Sequence, residues 1–243
     1  MAEEVTIFIK SWNRPLYLWS CLDSFYRHTR FPARFILIDN ASSDPQVAEV
    51  VDGFSRRGMF HGVHFLEENR LDGQDSIYEQ YEDSIGSYIV LVDGDVFVEP
   101  SEPACWLEHL VSLANSDPKL AMLGSYIDGQ DFVALSEAQR LYPDREHAAW
   151  RFLVKSRSPE REIPDSTQAI IRPFNPPGRF TLLRKSVIEE IGLRSGGKRF
   201  HKAACEAGWD AGIATGVRHR HLSLLNVYDY PEYDYEQRNT YYL

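Results

Sequence analysis

The sequence predicts an α/β fold: a mostly parallel central sheet flanked by helices, continuing into an irregular second half of the same single domain. Three observations carry this expectation. Strand-like apolar runs alternate with helix-like stretches three times before a fourth run, an order that gives parallel strands joined by right-handed helical crossovers. The 243 residues are 43% hydrophobic and 26% charged, an ordinary globular balance. Polar, chemistry-capable residues follow all four runs, and ligands of such sheets bind outside the carboxyl ends of the strands.

The first strand covers Val5 to Ile9, rich in β-branched and aromatic residues. It runs into Ser11-Trp12-Asn13-Arg14-Pro15, and Pro15 suits the first turn of a helix whose apolar positions are Leu16, Trp19, Leu22 and Phe25. A second strand, Phe35 to Ile38, ends at Asp39 and Asn40, with a helix expected from Gln46 to Arg57. A third, Val63 to Leu66, leads to Asn69 and Arg70, then to a helix near Ser76 to Ser84. The fourth, Tyr88 to Val92, runs into Asp93-Gly94-Asp95.

The second half predicts a helix over Ala104 to Ala114, a strand over Ala121 to Ile127, a strand over Gly178 to Arg184, helices over Lys185 to Ile191 and Phe200 to Ala207, and an extended stretch from Ala211 to His221. Between them, 128–177 mixes charge, proline and aromatics. A connection of that length is read as a lid or binding loop, with a short helix near Ser136 to Leu141. The chain thus divides into a ligand-binding half, 1–98, and a second half, 99–243, within one continuous domain.

Lys plus Arg total 26 and Asp plus Glu 36, a formal net charge of −10. That charge disfavours non-specific nucleic-acid binding. No apolar run approaches the roughly 18 residues of a transmembrane helix, which leaves only peripheral membrane contact open. The acidic start, Met1-Ala2-Glu3-Glu4, lacks the layout of a signal peptide. Cys21, Cys105 and Cys205 are odd in number and far apart, so a reduced, cytoplasmic chain is expected, with each cysteine packed in the interior.

The candidate chemistry centres on Asp93-Gly94-Asp95. In an extended segment residues two apart share a face, so two carboxylates would converge beside a glycine that admits a ligand to the backbone. Mg²⁺ and Mn²⁺ favour such oxygen donors and keep substrate phosphates in their shell. His219 and His221 also sit two apart, and either imidazole could complete the shell, His219 slightly ahead. Asp39 could accept N–H groups of a base ring, or close a turn; Asp44, before Pro45, reads as a helix cap. Arg14 and Arg70 could meet a nucleotide or its phosphates. Trp12, Trp106, Trp150 and Trp209 could stack on a sugar or base, though core packing suits most of them better.

Together these pieces resemble glycosyltransferase family 2 and its GT-A-fold (Rossmann-like) relatives. The opening Val-Thr-Ile-Phe-Ile-Lys-Ser-Trp-Asn-Arg-Pro resembles that family's strand and Ser/Thr-x-Asn-Arg turn. Residues 35–44 look like its V-D-N-x-S-x-D segment, and 88–95 like the strand ending in its D-x-D metal motif. Residues 177–192 resemble its strand and helix leading to the acceptor region, and Gly208-Trp209 with the later histidines resembles its G-W turn.

The resemblance implies a metal-dependent glycosyltransferase with a UDP-, GDP- or dTDP-linked donor and an unidentified acceptor. Ser11, Arg14, Asp39 and Arg70, with Asn13, Asn69 and Gly94 in the same loops, would hold the nucleotide. Asp93 would take the sugar or ribose, Asp95 the Mn²⁺ or Mg²⁺, and His219 or His221 the metal or diphosphate. One departure concerns the general base. Inverting members carry a carboxylate upstream of the G-W turn, whereas Ser195 to His201 here contains none. Asp128, Asp131, Asp165, Glu206 and Asp210 are substitutes, and His201 a weak one. The missing carboxylate supports a rival reading, a non-catalytic nucleotide- or sugar-binding module. A sugar-phosphate nucleotidyltransferase is disfavoured because the loop from Ser11 to Pro15 lacks glycine.

Overall fold

A computed structural model describes residues 4–70, 73–127, 168–172, 180–192 and 197–222, with 136, 139, 140 and 143 singly. The first strands and helices follow the expected order: β1 Val5–Ser11, α1 Pro15–His28, β2 Ala33–Asp39, α2 Pro45–Ser55, β3 Phe60–Phe65, α3 Gly73–Tyr81 and β4 Tyr88–Asp93. Then come β5 Val96–Val98, α4 Trp106–Ser116, β6 Leu120–Ile127, β7 Ile170–Ile171, β8 Phe180–Arg184, α5 Lys185–Ile191, α6 Gly197–Glu206 and β9 Asp210–His221. No helix among the described residues is long and apolar enough to cross a membrane.

All described strands join one sheet in the order β3-β2-β1-β4-β8-β6-β9-β5, with β7 on β9. β3, β2, β1 and β4 are mutually parallel. Past β4 the sheet is mixed, because β8 runs antiparallel to both β4 and β6 while β6 and β9 are parallel.

Both faces of β1 are buried, which explains its continuous apolar run. Val5, Ile7 and Ile9 face a core built with α1, α2 and α4, and Phe8 faces one built with α3, α5 and α6. Phe25, Trp106 and Phe180 meet edge to face, with centroids 5.0 to 5.4 Å apart; each such pair adds about 1 kcal/mol beyond its buried area. Phe180 also meets the His219 ring edge-on at 5.7 Å, so this cluster backs one candidate site residue. Arg184 ties β8 to the end of α4, donating to the carbonyls of Ala114 at 2.7 Å and Leu120 at 2.9 Å and to the Tyr88 hydroxyl at 3.1 Å.

Several expectations change. Asp93-Gly94-Asp95 is not an extended segment: β4 ends at Asp93, and Gly94 and Asp95 form a turn into β5. Gly94 also lies close against neighbouring backbone: a Cβ there would stand 3.0 Å from the Lys10 carbonyl oxygen and 3.5 Å from the Ser11 Cα. β5 and β7 were not expected, being too short to show a period. Cys21 and Cys105 are buried but Cys205 is exposed. Its sulfur lies 3.5 Å from His201 Nε2 on the outer face of α6. Of the expected helix at Ser136 to Leu141, Ser136, Gln139 and Arg140 are helical, and the remainder, with most of 128–177, lies outside the described residues.

Candidate active site

Four loops follow β1, β2, β3 and β4, and hydrogen bonds knit them together. Asn13, in the left-handed region at φ 44°, turns the first loop toward the second. Its side-chain oxygen accepts from the Ser43 amide at 2.7 Å and the Asp44 amide at 3.1 Å, and its own amide donates to Ser42 Oγ at 2.8 Å. Ala41, at φ 64°, is the other non-glycine residue with positive φ among those described. Backbone strain of this kind persists where the surroundings over-determine it, often at ligand sites.

Asp39 closes the second loop. Its two carboxylate oxygens accept from the Ser42 amide at 2.8 Å and the Ser42 hydroxyl at 2.5 Å. Burial pushes its pKa up, and the two Ser42 bonds pull it partly back. Asp44 caps α2, accepting from the Gln46 amide at 2.9 Å. Asn40 binds the third loop, its side-chain amide donating to Asn69 and its oxygen accepting from the Arg70 amide at 3.1 Å. Asn40 and Ser42 were missed by sequence reasoning, although a polar residue just after a strand is a turn signal.

The fourth loop meets the first through Asp95. Arg14 Nη1 donates to Asp95 Oδ2 at 3.1 Å, and Gly94 donates its amide to the Lys10 carbonyl at 2.7 Å. His221 Nε2 lies 3.1 Å from the same Oδ2. Asp95 and His221 are both almost fully buried. Topology brings them together: β5 starts just after the Asp95 turn, yet it pairs with the far strand β9, matching Val96 to His221. The sheet must therefore curl back on itself, and the Leu222 amide then donates to the Asp95 carbonyl at 3.0 Å.

The histidines divide their work. His221 faces Asp95, while His219 sits deeper, its Nδ1 2.7 Å from Ser125 Oγ. Asp93 ends β4 half-buried beside Lys10, and its carbonyl accepts from Cys21 at 3.9 Å; burial, with the charges of Asp95 and Asp93 adding to it, pushes the Cys21 thiol well up. Ser11 is buried at the end of β1, its carbonyl accepting from the Asn40 amide at 2.8 Å. Among the described residues no three His, Cys, Asp or Glu side chains stand close enough to hold a metal by themselves.

Of the base candidates among the described residues, Asp210 and Glu206 do not stand at this rim. Asp210 opens β9 beside Leu120, whereas His219 pairs with Ile127 at the other end of β6, and Asp210 lies 3.7 Å from Arg172. Glu206 pairs with Lys202 on the exposed face of α6. Asp128, Asp131 and Asp165 lie outside the described residues. Of the tryptophans, Trp106 is core, Trp209 packs on the second core and donates to Glu190 at 3.1 Å, Trp12 is half-buried in the first loop, and Trp150 lies outside the described residues.

The family model described as glycosyl transferase family 2 matches residues 6–192, well over half of the sequence. The chain belongs to glycosyl transferase family 2. No curated protein matches its sequence. Solved structures share the fold. GalNAc-T7 with UDP, GalNAc and Mn²⁺ aligns with a TM-score of 0.63 and 16% identity, over 89% of this chain and 43% of its own. The mannosyltransferase PcManGT from Pyrobaculum calidifontis, in complex with GDP-Man and Mn²⁺, gives 0.58 and 15%, over 89% and 56%. S. aureus TarS 1-349 in complex with UDP-GlcNAc gives 0.57 and 14%, over 91% and 61%. This family 2 chain therefore has the GT-A fold of those glycosyltransferases and spans less than two thirds of the length of each.

Proposed function

We propose that the chain transfers a sugar from a nucleotide-diphosphate sugar to an acceptor, using Mn²⁺ or Mg²⁺ held at Asp95 and His221. The observation that carries the reading is the joining of four post-strand loops into one rim, at the place where sheets of this type bind ligands, with a buried carboxylate and an imidazole meeting there. The bound UDP, GDP-Man and UDP-GlcNAc of the structural neighbours support a donor of this class.

The donor set fits a hard divalent cation. Neighbouring ligands of an octahedral ion, each about 2.1 Å from it, stand about 3 Å apart, and Asp95 Oδ2 and His221 Nε2 are 3.1 Å apart. Two side chains suffice where diphosphate oxygens and waters complete the shell. When bound, the cation supplies positive charge against the leaving diphosphate.

The remaining roles belong to the chain. Asp39 takes the N–H edge of the base, its orientation fixed by Ser42. Asn13 and Asn40 hold the first three loops in register, with Asn69 and the Arg70 backbone as the far anchor. Arg14 and Arg70 add cationic charge for the phosphates, and Asp93 takes hydroxyls of the ribose or sugar.

A panel of UDP-, GDP- and dTDP-sugars with Mn²⁺ tests this. Thermal shift reports binding by mass action, and release of nucleoside diphosphate reports turnover. A shift with release supports transfer, and neither with any donor rejects the reading. A shift without release supports the second reading, a binding module, which is favoured by the absence of a carboxylate from Ser195 to His201.

A further inference from the structure

We propose that Arg14 is an exchangeable cation built into this site: its guanidinium neutralises Asp95 until a divalent metal displaces it, and the displaced guanidinium then serves the donor's diphosphate. The proposal rests on the nucleotide-sugar reading above and adds a mechanism that couples metal to donor.

One carboxylate oxygen carries the argument. Asp95 Oδ2 lies 3.1 Å from Arg14 Nη1 and 3.1 Å from His221 Nε2. A metal bound to that oxygen would place two positive charges against the guanidinium within salt-bridge distance, in a pocket where the arginine and aspartate side chains are only 15% and 5% exposed. Repulsion at such range is poorly screened, so the arginine and the metal exclude one another.

The fold decides which group moves. Asp95 is fixed by its own backbone, through the Leu222 amide and the Val96–His221 register. His221 lies within β9. Arg14 instead reaches in from a loop, on a side chain with several free torsions. Its guanidinium carbon stands 5.3 Å from the Tyr17 ring centroid, so a cation–π partner is at hand as it leaves the carboxylate. Its planar fork suits a diphosphate, which it can bind bidentately. Metal and diphosphate then bind cooperatively, and by linkage each strengthens the other to the same extent.

The test titrates Mn²⁺ alone into the full chain, following free Mn²⁺ by electron paramagnetic resonance, for wild type, Arg14→Gln, Arg14→Lys and Asp95→Asn. With the competing charge removed, Arg14→Gln should bind Mn²⁺ about tenfold more tightly than wild type. Arg14→Lys, which keeps the charge, should stay near wild type, and Asp95→Asn should lose the site. Adding UDP or GDP should tighten Mn²⁺ binding less in Arg14→Gln than in wild type. A parallel measurement needs no variant to fold: the Arg14 Nε–H resonance of wild type should shift when Mg²⁺ alone is added. An Arg14→Gln affinity no tighter than wild type, or an unmoved resonance, overturns the exchange. If Asp95→Asn alone loses Mn²⁺, the metal reading survives that failure; if Asp95→Asn binds Mn²⁺ like wild type, the metal reading falls too.

Discussion

Asp95 Oδ2 and His221 Nε2 stand 3.1 Å apart, although the two residues lie in different halves of the chain. The cause is the crossing of β5 onto β9: a three-residue strand directly after the Asp95 turn carries the first half of the fold to the last strand of the second. Anything that loosens this turn should be felt at both residues.

Gly94 is the position to probe. Gly94→Ala would put a Cβ 3.0 Å from the Lys10 carbonyl, which is itself held by the Gly94 amide, so a loss of about 1–3 kcal/mol is expected. Gly53→Ala, in α2 with nothing within 4 Å of the added carbon, should gain about 1 kcal/mol from helix propensity. Urea denaturation of both variants checks the opposite signs.

Asn13 joins the first two loops from a positive φ. Asn13→Ala removes the acceptor for the Ser43 and Asp44 amides and places an alanine where asparagine is better tolerated. A loss of about 2–3 kcal/mol is expected. Asn13→Gly loses the same bonds without the backbone penalty and should cost less. The ranking in chemical denaturation, together with weaker donor binding in both, checks the role.

His64 supplies a pH dependence. Burial lowers its pKa from 6.5, and its Nε2 lies 2.9 Å from the Tyr81 hydroxyl. Below pH 6.5 the unfolded chain takes up a proton that the folded chain resists, so stability falls as pH drops through 6.5 toward the lower folded value and levels off beneath it. Against His64→Gln, wild type should lose stability over that window and run parallel to the variant above neutrality. Denaturation midpoints at pH 5 to 8 measure this, and parallel curves throughout would remove His64 as the cause.

The parallel first half was legible because each strand from Val5 to Asp93 is a short apolar run closed by a polar loop. The rim was legible for the same reason, since Asn13, Asp39, Asn69 and Asp95 all follow strands. The turn at Gly94–Asp95 was legible only as the alternative reading: Asp-Gly is a common turn pair, yet two carboxylates two residues apart look alike in a strand and in a turn. The division between His219 and His221 was hidden. Both lie on one face of β9, and only the pairing with β5 and the position of Ser125 separate them. Asp210 looked available as a base because its strand had not yet been placed; the β6–β9 register sets it at the far end of β9.

The account depends on Asp95 holding the cation that anchors a nucleotide-sugar donor. Calorimetric titration of wild type and Asp95→Asn, each with Mn²⁺ and the donor that gives the largest thermal shift, measures this most directly. Asparagine keeps the size and can still meet Arg14, so the variant should unfold cooperatively like wild type. Its donor affinity should drop by about tenfold or more, the loss expected for a charged contact. Equal affinity in the two proteins would contradict the account.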